Sequence, residues 1–421
     1  SQMSVMPLYV PAQNTQGELV EVEYLAGDCT NQDLGGCEIL TTMTEAKPLV
    51  VTYNDGIDLD AAPPEGYRIQ TGAGFGERDA FAALSLDDGA TWKNTNLSDS
   101  AARSSFVLQN GHEYPGDVFK VMHSVVGNRV AVAWISRFCE SGSPLYSWLP
   151  EDQLLLASTY GLGTNLTVDS VEYNTYASDL FGVAGSQNSV DYTLQGFPEV
   201  GQIPYGCVWV ARGTLEEDPD AEGVYGIVWR AAERLTSGRR DANRVEITGT
   251  GGAGFIISWQ EDPEGLRPGK GLGPGEGWSG AIANSKTDFW YTYIDLAHFS
   301  DVCTDTPADD TDYCTPGTMA DFVASDLFGQ KPKAAVPFAM PVRITDNNMC
   351  KYNPKSDSND ELINPYCYAD FDVNGVADLC ASEYVWENAG GNPIPVCVAE
   401  DERVMNGRTA STRVRWAMKP Y

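Results

Sequence analysis

The string Ser85-Leu-Asp-Asp-Gly-Ala-Thr-Trp92 constrains the fold more than any other, because its residue types specify one kind of turn. Asp87 offers a carboxylate that caps backbone N–H groups, Gly89 supplies a position with φ > 0, and Trp92 packs back on its own strand. A turn of this kind joins two antiparallel strands. The residues before it agree: 48–55 read PLVVTYND and 78–92 read RDAFAALSLDDGATW, an apolar strand and a partner leading into the turn.

The string fits S-x-D-x-G-x-T-W, and in this it resembles the Asp box of sialidase-like β-propellers, where the motif is structural rather than catalytic. The strand pair before it recurs. Residues 127–138 (GNRVAVAWISRF) precede 152–166 (DQLLLASTYGLGTNL), and 254–262 (GFIISWQED) precede 287–295 (TDFWYTYID). Alignment puts Tyr53, Trp134 and Trp259 at one position, and Asp79, Asp152 and Asp288 at the start of the partner strands. Two further segments, YGCVWVARG (205–213) and YGIVWRAAE (225–233), share Tyr-Gly-x-Val-Trp. Short strands rich in Val, Ile, Trp and Tyr, bounded by Gly, Pro, Asn and Asp, signal an all-β array. A repeated strand pair with a shared aromatic predicts a β-propeller rather than a sandwich, with about six or seven blades and irregular insertions.

Composition narrows the class. With 42 Gly and 24 Pro among 421 residues the chain is too turn-rich for a helical protein, while 42% hydrophobic residues suffice for a core. A formal charge of −32 repels nucleic acid and anionic membranes and favours cations and basic partners. No apolar run is long enough for a transmembrane helix. Ten cysteines without a CxxC point to disulfides and an oxidising compartment, hence a secreted or cell-surface protein. Neighbours in sequence predict Cys29–Cys37 and Cys303–Cys314. The expected organisation is a propeller core over 1–300, a cysteine-rich insertion over 301–400 and a closing strand over 401–421.

Within that insertion, Asp370, Asp372, Asn374 and Asp378 stand at positions 1, 3, 5 and 9 of a Ca²⁺-type loop, with Gly375 at 6 and the Val376 carbonyl at 7. Ala381 replaces the glutamate expected at position 12, leaving Glu383 to complete the shell. An Asx-rich turn is the alternative. His112 and His123 straddle Tyr114-Pro-Gly-Asp117, so a hairpin there would make them copper or zinc ligands. A structural role for both histidines competes with that reading.

The resemblance to sialidases implies an arginine triad, a Tyr/Glu pair and an Asp acid, with an early F/Y-R-I-P motif. Tyr67-Arg68-Ile69-Gln70 departs from that motif at its last residue, and Arg137, Arg212, Arg230 and Arg239 qualify only by lying near strand ends. In a propeller, loops entering the innermost strands converge on one face. Such loops carry Asp117, Glu199, Arg239 and Asp241, with Glu261 and Asp262 beside a strand end, a set suited to a cation, a sugar or an acidic ligand. Turn capping is the competing role.

The strings QGFPEVGQIP (195–204), ERLTSGRRDANR (233–244) and ISWQEDPEGLRPG (257–269) resemble a family of bacterial secreted proteins called choice-of-anchor O, over most of residues 48–300. The resemblance implies a surface protein with a separate C-terminal sorting anchor and no characterised reaction. The sequence therefore predicts an exported, calcium-stabilised β-propeller acting as an extracellular binding or assembly module for a cell-surface component or small ligand. An exported copper-dependent oxidoreductase using His112 and His123 is the alternative, and a sialidase-like glycoside hydrolase using Arg68 the weaker one.

Overall fold

The computed structural model describes residues 1–26, 38–55, 78–98, 100, 104–107, 109, 111, 113–115, 118–139, 187–193, 201–262, 265, 287–303, 331–339, 341–345, 382–387, 393–398 and 404–405. Among these residues every regular element is a strand, and the strands are numbered β1 to β24 along the chain. The protein is all-β with antiparallel sheets.

Three larger sheets follow one another. The first has the order β1 (Gln2–Val5), β6 (Leu49–Asp55), β7 (Asp79–Ser85), β8 (Lys93–Asn96). In the second, β11 (Val118–Val126), β12 (Arg129–Ser136), β15 (Cys207–Glu217) and β16 (Tyr225–Trp229) succeed one another, and β17 (Glu233–Arg234) also pairs with β15. The third runs β18 (Asp241–Thr250), β19 (Gly254–Asp262), β20 (Asp288–Asp295), β21 (Val342–Arg343). A smaller sheet holds β22 (Ser382–Glu387), β23 (Pro393–Val398) and β24 (Val404–Met405). The remaining two-stranded pairs are β2 (Val10–Pro11) with β5 (Glu45–Ala46), β3 (Val22–Ala26) with β4 (Glu38–Met43), β9 (Ser104–Val107) with β10 (Glu113–Pro115), and β13 (Ser189–Asp191) with β14 (Gln202–Pro204).

The second sheet is covered on both faces, which is why β12 and β15 read as nearly continuous apolar runs. Side chains alternate along a strand. Val130, Val132 and Trp134, with Trp209 and Ala211, therefore pack towards the first sheet, into a core with Val50, Ala80, Ala82 and Leu84. Ala131, Ala133 and Ile135, with Val208 and Val210, pack towards the third, against Phe255, Ile257, Trp259 and Trp290. The leading strands make the joints, since β11 contacts β1 and β6 on one side and β18 on the other. Trp134 is 1% exposed, and its replacement by Ala costs ~3–5 kcal/mol.

The expected repeat holds at its aromatic position and fails at one partner strand. Tyr53, Trp134 and Trp259 all lie on the second strand of their sheets, opposite Phe81, Trp209 and Trp290. The strand beside β12, however, is β15 and not 152–166: Arg129 through Ser136 pair in unbroken register with Thr214 back to Cys207. Asp79 and Asp288 begin their partner strands, while Cys207 takes the equivalent place in the second sheet. Cys207 bonds Cys139 in a disulfide, and Cys303 is also disulfide-bonded. Cys29, Cys37 and Cys314 lie outside the described residues.

The Asp-box string forms the turn between β7 and β8. Asp87 Oδ1 accepts from Ser85 Oγ and Thr91 N, both at 2.8 Å, and Oδ2 accepts from Thr91 Oγ1 at 2.6 Å. Gly89 has φ 90° and its N–H donates to Ser85 Oγ at 2.9 Å, while Trp92 Nε1 donates back to Gly89 O at 3.0 Å. Burial alone would raise the Asp87 carboxyl, but the hydrogen bonds from Thr91 and Ser85 outweigh it and hold its pKa below the ordinary value.

Candidate functional site

The three larger sheets share a sense that concentrates their connections. The ends of β6, β12 and β19 meet the starts of β7, β15 and β20, where Asp55 faces Asp79, Ser136 faces Cys207 and Glu261 faces Asp288. Residues 56–78, 137–206 and 263–287 connect these strand ends, all long by the standard of hairpin loops. The connections from β11 to β12 and from β18 to β19 are short turns at the other end.

A buried polar cluster occupies the long-connection end. Asp241 opens β18 opposite Asp262, the last residue of β19, and both are 0% exposed. Asp241 Oδ1 accepts from Gly206 N at 2.8 Å and lies 3.3 Å from Arg137 Nη1, which also donates to Pro204 O at 2.6 Å. The carboxylate thus ties the second sheet to the third.

Glu261 sits one residue inside Asp262, between Ala242 and Asp288 on the neighbouring strands. Its Oε1 accepts from Trp259 Nε1 at 2.9 Å and its Oε2 from Arg240 Nη1 at 3.4 Å. Burial raises its pKa, the Arg240 charge and the Trp259 and Arg240 hydrogen bonds oppose the rise, and nearby Asp288 adds to it. The Arg240 guanidinium lies 5.0 Å from the centroid of the Trp290 ring, a cation–π contact that fixes its plane. Asp288 Oδ1 accepts from Thr345 Oγ1 at 2.9 Å. Behind the acids, the loop 237–240 is held by Asn188 Nδ2, which donates to Arg239 O at 2.7 Å. Arg239 and Arg240 are half-buried, so they are the members of the cluster that reach towards solvent.

Of the expected ligand residues, Arg239, Asp241, Glu261 and Asp262 come together here, while Asp117 and Glu199 lie outside the described residues. Arg137 pairs with Asp241 and Arg240 with Glu261. Arg212 and Arg230 do not reach this end; they pair with Glu233 and Glu216 farther along β15. β18 bulges between Asn243 and Glu246 with Arg244 at φ 52°, and β11 bulges at the equivalent point with Lys120 at φ 59°. Bulges of this kind re-aim side chains beside a site.

His123 lies on β11 and is 2% exposed, its Nδ1 2.7 Å from Thr52 Oγ1. His112, Arg68 and the loop Asp370, Asp372, Asn374, Val376 and Asp378 fall outside the described residues. Among the described residues no group of three or more His, Cys, Asp and Glu side chains is placed to hold a metal ion.

No family model matches the chain, and no curated protein does. Its distant structural likeness is to a sialidase. Trypanosoma rangeli sialidase in complex with the inhibitor DANA is 12% identical over 70% of this chain and 34% of that one, with a TM-score of 0.25. The same sialidase in complex with sialic acid is 11% identical over 70% and 34%, with a TM-score of 0.26. The chain spans about a third of the length of these structures. At such TM-scores the likeness carries neither the sialidase's activity nor its ligands to this chain.

Proposed function

We propose that the chain is an exported, calcium-stabilised β-propeller that acts as an extracellular or cell-surface binding module, and that it takes its ligand at the Arg137–Asp241 end. The observation that carries this reading is the cluster of Asp241, Glu261, Asp262, Arg239 and Arg240 at the strand ends from which long connections leave. Support for a propeller comes from three successive antiparallel sheets joined through their leading strands, with the Asp-box turn between the third and fourth strands of the first. Planar guanidinium donors in front of carboxylate acceptors suit a hydroxyl-rich ligand of the saccharide class. The calcium part rests on the sequence of residues 370–378.

Binding of the full chain to a glycan array, repeated with Glu261→Gln and Arg240→Gln, tests the reading. It requires a saccharide class retained by the wild type and weakened at least tenfold in one variant; no retained glycan, or retention indifferent to both changes, overturns it. For the metal, a chelator is expected to lower Tm in the wild type and to leave Asp372→Ala unchanged. Stoichiometric copper in native protein, lost in His123→Ala, would instead favour the oxidoreductase. Glu261 gives the glycosidase reading its one support, a buried carboxyl with a raised pKa. Turnover of a fluorogenic glycoside, lost in Glu261→Gln, would establish that reading.

A further inference from the structure

Farther along the second sheet, three arginines form a row on the face turned to the third sheet. Arg129 stands opposite Thr214 and Arg212 opposite Ala131, so the two arginines are diagonal neighbours on one face. The Arg230 N–H donates to Arg212 O at 2.9 Å, which sets Arg230 beside Arg212 on the next segment. Arg212 is 0% and Arg230 3% exposed, and Arg129 is half-buried.

The donors of Arg212 and Arg230 are nearly all spent. Arg212 Nε and Nη2 donate to the two oxygens of Glu233 at 2.7 and 2.6 Å, and Nη2 also to Val336 O at 2.6 Å, with the guanidinium 4.8 Å from the Phe338 centroid. Arg230 Nη1 donates to Thr214 Oγ1 and Val228 O, both at 2.8 Å, and Nη2 to Ser300 O at 2.9 Å and Glu216 Oε1 at 3.3 Å. Among the described residues, Arg129 Nε, Arg212 Nη1 and Arg230 Nε are buried nitrogens without a hydrogen-bond partner. Arg129 enters no ion pair among the described residues.

Charge points the same way. Among the described residues the three guanidinium side chains have two carboxylate partners, Glu233 and the exposed Glu216. At least one positive charge is left over around the buried guanidiniums of Arg212 and Arg230, within a chain whose net charge is −32. Lys333, buried and also acting on Glu233, adds a further cation beside it. Burial lowers the Arg230 pKa, Glu216 works against the shift, and repulsion from Arg212 and Arg129 adds to it.

We propose that Arg129 Nε, Arg212 Nη1 and Arg230 Nε form a binding site for a small monovalent inorganic anion, chloride in ordinary buffers, between the second and third sheets. A negative charge offsets part of the surplus, and a spherical ion accepts from three donors without bringing oxygens that need partners of their own. The site is independent of the cluster at Arg137 and Asp241, and its ion steadies the contact of the segment 299–300 and 336–338 with the second sheet.

Two measurements on the full chain test this. Crystals grown in sodium bromide are expected to show an anomalous peak in contact with the three nitrogens. Tm is expected to be higher in sodium chloride than in sodium gluconate at equal ionic strength, with the difference at least halved in Arg129→Gln. The Arg129 side chain donates no hydrogen bond among the described residues, so this change removes a ligand without breaking a described contact; if the variant does not fold, the wild-type melts and the bromide map still decide. Absence of the peak, or equal wild-type melts in the two salts, overturns the proposal. A peak without chloride-dependent stability marks an adventitious ion only, and overturns it too.

Discussion

Arg137 Nη1 lies 3.3 Å from Asp241 Oδ1, and neither side chain is exposed to solvent. The pair joins the residue after β12 to the first residue of β18, so it spans the second and third sheets at the end that carries the long connections. Removing one member of a buried pair strands the other charge in a low dielectric. Asp241→Ala is therefore expected to cost ~3–5 kcal/mol in urea unfolding. Asp241→Asn keeps an acceptor for Gly206 N and is expected to cost less. A loss below ~1 kcal/mol for the alanine variant would mean that Arg137 is satisfied without the carboxylate.

The Asp-box turn makes a prediction with a pH signature. Because the Asp87 pKa is lower in the folded than in the unfolded chain, its stabilisation is complete above the unfolded carboxylate value and is lost as pH falls through the folded one. Asp87→Ala, which removes the acceptor for Ser85 Oγ, Thr91 N and Thr91 Oγ1, is expected to lower stability by ~2–3 kcal/mol at pH 7. The variant should also lose part of the acid-induced decline below about pH 4. An unchanged acid limb would contradict the assignment.

His123 acts in a different window. Burial lowers its pKa from 6.5 to about 4. The unfolded chain takes up a proton as pH falls below about 6.5, and the folded chain does so only near 4, so stability drops across that interval and levels off below it. The drop amounts to about 3 kcal/mol. His123→Gln should flatten the Tm profile between those limits, which a pH series of thermal melts reads directly. A profile as steep as the wild type's would place the titrating group elsewhere.

The Cys139–Cys207 disulfide closes a sequence separation of 68 residues between β12 and β15. Chain entropy assigns such a loop about 4 kcal/mol. The Cys139→Ser/Cys207→Ser double variant is expected to fall in stability by an amount of that order in denaturant unfolding. A difference under ~1 kcal/mol would indicate that pairing of β12 with β15 alone restrains the loop.

What the sequence made legible follows from how local each signal is. The Asp-box turn is written in eight consecutive residues, so its hydrogen bonds were foreseeable from residue type. The aromatic position shared by Tyr53, Trp134 and Trp259 was legible because each lies in an apolar run of strand length. The partner of β12 was not, because residues 137–206 intervene and the nearer apolar run at 152–166 offered a substitute. That misassignment also concealed the Cys139–Cys207 bond, since the two cysteines become neighbours only once Trp134 is set opposite Trp209. Likewise β21, at 342–343, joins the third sheet from within a cysteine-rich stretch whose composition carries no strand signal.

At the candidate site, Asp241, Glu261 and Asp262 were expected near strand ends, and the structure places them on neighbouring positions of β18 and β19. Which arginine serves which acid was beyond the sequence. Arg239 and Arg240 are adjacent, and only the packing of Arg240 over Trp290 selects it as the partner of Glu261. Arg212 and Arg230 looked equivalent to Arg137 as residues near strand ends, but the register of β15 carries them away from Asp241.

The central claim is that the sheets surround an axis as a propeller and present the Arg137–Asp241 end to a ligand. An experimental electron-density map of that end, from native protein, tests it most directly. The account predicts radially arranged sheets and bound ion or ligand density in contact with Arg239, Arg240 or Glu261. Sheets stacked as an open sandwich, with that end covered by the chain's own segments, would contradict it.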